Sequence, residues 1–461
     1  MKELGYSTER IELNGSRFLL SNGYMGYRGT LEEAGKEDLV ACTLSGLYDQ
    51  AGTGWREPVN APNGFYTVLS YQGQPLQPRA IEPATHEQQL VIRSALHRRK
   101  TTFALADNRI EIATERFLSS ADVHLMALEY RFRSTEVGTV MVDTGIDADV
   151  WDLNGPHFRE VSFQAAGSSL TATALTNEGQ VVAVATMVAG LNGQGATLQR
   201  EQAVLNRWTI PAEAGREYCF YKYVAVYTSA DPECTAGRDP ATVAVEGVRH
   251  AAEIGYAKLY ARHHACWAER WPRSEVVIKG DPEAELALDY SIYHLLAAAP
   301  SHTEKASIPA RGLSGQTYKG AIFWDTELFM LPFFIYTQPQ LARGLLRYRY
   351  HTLDGARRKA AEYGYRGAFY AWESQETGDD ACTYFNVTDV FSERPLRTYF
   401  RDKQIHISAD IAYGIWQYYL VTGDESILFD GGAEIILETA RFYYSYAYLE
   451  NSPCCSPSNE E

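Results

Sequence analysis

The sequence predicts a multidomain β + α protein: an N-terminal antiparallel β-sandwich, a helical linker and then a helical domain. Three observations carry that prediction. Up to about residue 235 the chain is cut into short runs of alternating apolar and polar residues, separated by turn signals, as in a large sandwich. From about 241 it turns Ala-rich, and apolar residues recur at helical spacing. With 461 residues it is long enough for two or three domains, each with its own core.

The elements follow in order. "TTFALADNRIEIATERF" holds two alternating runs around Asp107-Asn108, a hairpin signal. "LEYRF" places Leu128, Tyr130 and Phe132 on one face, because side chains alternate along a strand. "TATALTNEGQVVAVATMV" reads as strand, Asn177-Glu178-Gly179 turn, strand, and "REYCFYKYVAVYTSA" as a further strand. "PATVAVEGVRHAAEIGYAKLYARHHACWAERW" reads as a single linker helix ended by Pro272. In "GDPEAELALDYSIYHLLAAAP", Asp281 is an N-cap and Pro282 the first helical residue. Leu286, Tyr290, Tyr293 and Leu296-Ala297 are placed on one face, and Pro300 is the stop. Helices are expected at about 325–336, 339–352, 355–363, 407–422 and 433–449, with Gly364 and Gly423 at helix ends. Loops at about 301–323 and 364–405 are long enough to predict a functional role.

Composition narrows the function. The chain is 45% hydrophobic and 22% charged, ordinary for a globular protein. Its 31 tyrosines suit either a polar cleft or a well-packed sandwich and helix surface. A net charge of −16 argues against nucleic acid or an anionic membrane as partner, although a few local donors still bind one small anion. Seven cysteines without zinc spacing point to reduced thiols and a cytoplasmic location. The start "MKELGYSTERIELNG" lacks the apolar core of a signal peptide, and no window has 18 uninterrupted apolar residues. The Asn386-Val387-Thr388 sequon is a chance match in that setting.

Four stretches contain candidate chemistry. In "GAIFWDTELFMLPFF", Trp324 and Asp325 pair an indole, which can pack on the C–H face of a pyranose, with a carboxylate that can accept bonds from adjacent hydroxyls. Asp325 or Thr326 serves equally as an N-cap, and Glu327 suits a first turn. Trp372-Glu373, in "AFYAWESQETGDD", repeats the arrangement in a Gly-flanked loop; the alternative is a surface acidic loop with a buried Trp. In "SIPARGLSGQTYKGAIFWDTE", Gly312, Gly315 and Gly320 allow sharp turns or close approach. There Arg311 and Lys319 reach a hydroxyl or phosphate, or are solvated charges. In "RTYFRDKQIHISADIAYGIWQYY", His406 and Asp410 share one helix face. A metal reading lacks a third ligand, so a cleft-lining helix start with Ser408 as cap is preferred. No Walker loop, Rossmann fingerprint or G-x-S-x-G elbow occurs.

The block from "GLSGQTYKGAIFWDTE" through "YGYRGAFYAWES" closely resembles glycoside hydrolase family 65, which includes inverting α-glucoside phosphorylases. "FLLSNGYMGYRGTLEE" and "DKQIHISADIAYGIWQYYLVTGDESILFD" resemble it in the same order. The resemblance implies that the helical domain is the first part of an (α/α)6 barrel. The implied layout is a sandwich at 1–240, a linker at 241–280, a partial barrel at 281–450 and an atypical tail at 451–461. It implies a glucosyl subsite holding Trp324 and Asp325, lined by Trp372 and Glu373 and in part by Arg311, with the loop from about 388 to 406 beside the acceptor sugar.

The implied reaction is inverting phosphorolysis of an α-linked glucosyl disaccharide such as kojibiose, nigerose or maltose. Phosphate is a substrate, no metal or organic cofactor is required, and a homodimer is the implied assembly of a longer form. A carboxylic acid would protonate the glycosidic oxygen while phosphate attacks. The family's Gly-Pro-Asp-Glu-like segment bearing that acid has no counterpart in this sequence, so an incomplete copy is expected. The alternatives are a hydrolase of the same family using water, and a non-catalytic glucoside-binding fragment.

Overall fold

The computed structural model describes residues 1–193, 195–385 and 387–447. The sequon asparagine and the tail at 451–461, with Cys454 and Cys455, lie outside the described residues.

Strand residues cluster in the first half of the chain because their alternation lets each bury one face. Nine strands form one antiparallel sheet, in the spatial order Lys2–Leu4, Thr85–Val91, Leu96–Leu105, Asn108–Leu118, Leu125–Ser134, Glu217–Thr228, Val181–Ala189, Ser169–Thr176 and Phe158–Ala166. Five strands form a second sheet, centred on Gly138–Asp147. Ile110, Ile112, Leu128, Tyr130 and Phe132 from the first sheet share one core with Leu69, Val140, Val142 and Val204 from the second. Leu128, Tyr130 and Phe132 are buried together, as their alternation predicts. A smaller four-stranded sheet, with strands Cys42–Asp49 and Glu57–Asn60, carries the turn that faces the helical part.

The single linker helix expected from 240 to 271 is two helices. Pro240–Ile254 lies on the nine-stranded sheet, and Tyr256–Ser274 follows it. Gly255 between them has φ +81, a conformation that glycine adopts without steric cost and that breaks the helical hydrogen-bond run. Pro272 sits inside the second helix and does not end it.

The helix Pro282–Ala298 starts where expected, and the Asp281 side chain accepts from the Ala284 N–H at 3.0 Å. Its buried face is Ile292, Tyr293, Leu296 and Ala297, whereas Leu286 is 42% exposed and does not belong to it. The helices Leu331–Thr337, Pro339–His351, Leu353–Glu362, His406–Thr422 and Ala433–Tyr446 follow. Gly423 closes one of them at φ +70. Seven tyrosines, including Tyr293, Tyr348, Tyr370 and Tyr418, are among the largest fully buried side chains. Packing therefore accounts for many of the tyrosines.

The two halves are tied together beside the long loops. Tyr48 Oη donates to the Gly320 carbonyl at 2.9 Å. Gln316 Nε2 donates to Pro58 O at 2.8 Å and to Asp152 Oδ1 at 2.7 Å. A Cβ on Gly320 would stand 2.1 Å from Pro58 Cγ. The close approach that requires glycine here is between the halves, not toward a ligand.

Candidate functional site

The site begins at the mouth of the helix that continues as Leu331–Thr337. Its first turn, Thr326–Met330, is π-helical, a form enriched at functional sites. Neither expected cap is formed. Asp325 has helical dihedrals and makes no side-chain cap, while Thr326 Oγ1 donates to the Ile308 carbonyl at 3.1 Å. Among the described residues the Asp325 carboxylate has no hydrogen-bond partner, and burial raises its pKa. A half-buried carboxylate with unused acceptor capacity at a helix mouth is suited to receiving hydroxyl donors.

Glu327 is neither a surface nor a simple first-turn residue. Arg349, fully buried on Pro339–His351, grips it through Nε and Nη2 at 2.7 Å each and bonds the Phe323 carbonyl at 2.8 Å. This bidentate pair fixes the backbone that presents Trp324 and Asp325.

The second aromatic–carboxylate pair arrives on the irregular segment after Leu353–Glu362. Asp380 organises it, accepting from the N–H groups of Trp372 at 3.0 Å, Glu373 at 3.1 Å and Cys382 at 3.0 Å. Lys359 neutralises Asp380 at 2.7 Å, and burial lowers the lysine's pKa against the pull of that carboxylate. Glu373 is buried as well, and Lys319 Nζ approaches its Oε2 at 2.5 Å. Burial outweighs the ammonium, so the Glu373 pKa is raised. Lys319 is therefore a buried partner and not a solvated charge. Tyr318 and Lys319 both have positive φ, +58 and +59, an uncommon pair of non-glycine conformations beside a cleft.

Trp324 and Trp372 meet through His406, with ring centroids 4.8 Å and 6.5 Å from it. Trp372 also stacks on Phe400 at 5.4 Å. His406 Nδ1 pairs with Asp410 at 2.7 Å, as its helix spacing predicts, and Nε2 lies 3.1 Å from Gln404 Oε1. Ser408 is not a cap: it lies inside His406–Thr422, and its Oγ accepts from the Tyr370 N–H at 3.0 Å.

Trp372 and Glu373 open on a cleft of about 1350 Å³ between the halves. The turn at 50–56 and the loop around 377–388 close its sides, so Val387 and Thr388 border it near the expected acceptor loop. Arg311 is exposed on a separate cavity of about 500 Å³ with His294 and Met330, and does not reach this cleft. The structure thus brings Trp324 and Trp372 to one histidine, with Asp325 and Glu373 next to them in the chain, and leaves Arg311 apart. Sequence reasoning missed Asp380, Lys359, Arg349 and Trp55. Only Trp55 had a local signal: "GTGWRE" is another Gly-flanked Trp near a carboxylate.

A sheet domain is thus clamped to a helical domain, with two tryptophan–carboxylate pairs beside the junction, and the family models place this fold in a glycosyl hydrolase family. Residues 1–270 match the N-terminal domain of glycosyl hydrolase family 65, and residues 289–455 match its central catalytic domain. The chain belongs to glycosyl hydrolase family 65.

It is 46% identical to a nigerose phosphorylase of Lachnoclostridium phytofermentans, an alignment covering 95% of this chain and 61% of that protein. It is 36% identical to a 1,2-alpha-glucosylglycerol phosphorylase of Bacillus selenitireducens, over 96% and 57% respectively. A kojibiose phosphorylase of Halothermothrix orenii is 34% identical, over 93% and 57%. The chain therefore spans about three-fifths of the length of these relatives. A solved structure from the human microbiome, provisionally named a kojibiose phosphorylase, superposes with a TM-score of 0.86 at 20% identity, covering 98% of this chain and 60% of that one. This likeness gives the fold. Among the described residues no helix is long and apolar enough to cross a membrane.

Proposed function

We propose that the chain carries the glucosyl-binding wall of an α-glucoside phosphorylase. The reaction is inverting phosphorolysis of an α-linked glucosyl disaccharide such as nigerose, kojibiose or maltose to β-glucose 1-phosphate and a free acceptor sugar. The observation that carries this reading is the convergence of the Trp324 and Trp372 rings, each followed in the chain by a carboxylate, on one histidine ring, in a chain whose relatives are named as phosphorylases. The indole faces hold the apolar side of the glucosyl ring, and Asp325 and Glu373 accept its hydroxyls.

Phosphate is a substrate: it brings its own nucleophilic charge, so the carboxylate that activates water in an inverting hydrolase is unnecessary. Proton donation to the leaving oxygen is assigned to none of Trp324, Asp325, Trp372 and Glu373. The helices from Pro282 onward are read as part of an (α/α)6 barrel, with 1–240 as the sandwich and 241–280 as the linker. The reaction calls for no metal or organic cofactor, and a cytoplasmic location and, for a longer form of the chain, a homodimer complete the reading.

The test is to incubate the protein with nigerose, kojibiose and maltose, with and without inorganic phosphate. Phosphate-dependent β-glucose 1-phosphate supports the proposal. Free glucose formed equally without phosphate makes it a hydrolase, and glucose binding without turnover makes it a glucoside-binding protein.

A further inference from the structure

Trp55 lies on the turn between strands Cys42–Asp49 and Glu57–Asn60, in the sheet domain, yet it lines the same cleft as Trp372 and Glu373. It is 42% exposed, and part of its surface lines that cleft.

Its orientation is set from behind. Trp55 Nε1 donates to Glu57 Oε2 at 3.0 Å. Glu57 is itself fully buried, and its Oε1 accepts from the Asn154 N–H at 2.7 Å and lies 3.0 Å from His157 Nε2. The neighbouring Arg56 reaches across the cleft to pair with Glu376 at 2.6 Å, and its carbonyl accepts from Gln375 Nε2 at 3.1 Å. The indole is thus held in one pose at the junction, with its polar edge satisfied and ring surface open. Little freedom remains to be lost when a ligand packs on it.

Lys319 shows where Trp55 lies relative to the glucosyl site. Its Nζ is 2.5 Å from Glu373 and 5.7 Å from the centroid of the Trp55 ring. Glu373 and Trp55 therefore flank one ammonium. Among the described residues, Trp324 meets Trp372 through His406, and neither Trp324 nor Asp325 lines the cleft that Trp55 lines. In order across the site come the Trp324-Asp325 pair, the Trp372-Glu373 pair and then Trp55.

We propose that Trp55 is the stacking platform for the second sugar of an α-linked glucosyl disaccharide, so that the sheet domain sets which acceptor fits. This rests on the glucosyl site assigned above to Trp324 and Asp325. A ring that follows Glu373 in the cleft presents its C–H face to Trp55, while its hydroxyls meet polar lining residues such as Thr377, Asp379 and Thr383.

The test compares calorimetric affinities of the intact chain for glucose and for nigerose and kojibiose, in the wild type, Trp55→Ala and Trp55→Phe. Wild type is expected to bind a disaccharide more tightly than glucose. Trp55→Ala should weaken disaccharide binding by about 3- to 10-fold, from the usual worth of one aromatic contact, and leave glucose unchanged. Trp55→Phe should recover most of the loss, and its retained ring guards against misfolding as the cause. Unchanged disaccharide affinity in Trp55→Ala overturns the proposal. Equal loss for glucose and disaccharide moves Trp55 into the glucosyl subsite and also overturns it. Failure of wild type to bind either sugar removes the underlying glucosyl site, and the proposal with it.

Discussion

Lys359 Nζ stands 2.7 Å from Asp380 Oδ2, and both side chains are buried. This one pair, 21 residues apart in sequence, holds the backbone that presents Trp372 and Glu373. The two partners are unequal. Asp380 retains three backbone N–H donors if the lysine is removed, whereas Lys359 retains one hydrogen bond, to the Tyr370 carbonyl at 3.2 Å, and the Phe369 ring, its centroid 3.8 Å from Nζ.

Asp380→Ala should therefore cost about 3–5 kcal/mol, the loss typical of stranding one half of a buried ion pair. Lys359→Met should cost distinctly less. Chemical denaturation followed by tryptophan fluorescence measures both. Equal losses would show that the backbone donors do not support Asp380.

Asp325→Asn should leave the melting temperature unchanged or slightly raised, because the half-buried carboxylate makes no hydrogen bond that folding needs and burial already disfavours its charge. Glucose affinity should fall roughly 10- to 100-fold if the carboxylate accepts two sugar hydroxyls. Calorimetric titration checks this, and retained affinity removes Asp325 from the site.

Arg311→Ala should leave glucose affinity unchanged, since Arg311 lies on a separate cavity from Trp372 and Glu373. A large loss would show that the arginine reaches the sugar by a rearrangement on binding. The same titration decides between these outcomes.

The cluster behind Trp55 should make stability fall as pH rises. Burial pulls the His157 pKa down, but Glu57, Asp152 and Asp49 outweigh it, so the net pKa is raised. A raised histidine contributes fully below its unfolded value of 6.5 and loses that contribution as pH climbs through the native one. Asp152, pushed up to about 6 chiefly by burial, has the same sign at lower pH: its ionisation opposes folding between its unfolded value of 3.8 and about 6. Buried histidines such as His86, His263 and His294, lowered by burial, act with the opposite sign in wild type and variant alike, so the readout is a difference: between pH 6.5 and 9 the melting advantage of wild type over His157→Gln should shrink. An identical slope in that variant would assign the effect elsewhere.

The β-then-α order, the two hairpins, the Asp281 cap and the Trp324-Asp325 and Trp372-Glu373 pairs were all legible in the sequence. Each depends on residues adjacent in the chain: alternation, turn chemistry, a side chain reaching its own helix, a dipeptide. The break at Gly255 was missed because an isolated glycine in a helical pattern is usually tolerated. The exposed Leu286 was misplaced because periodicity names a face and not what covers it.

By itself, the sequence determined which segments are strand or helix and which dipeptides have the chemistry to hold a sugar. Only the tertiary structure decided that Asp325 is free of capping, that Glu327 belongs to Arg349, that Lys319 faces Glu373, and that Trp55 from the sheet domain shares the cleft of Lys319 and Glu373. The physical reason is range. Backbone preference and periodicity act over a few residues. The partners that local patterns did not reveal lie at separations from 21 residues, for Lys359 and Asp380, to 319, for the Gln375 bond to the Arg56 carbonyl, and no local pattern encodes which partner the packing will supply.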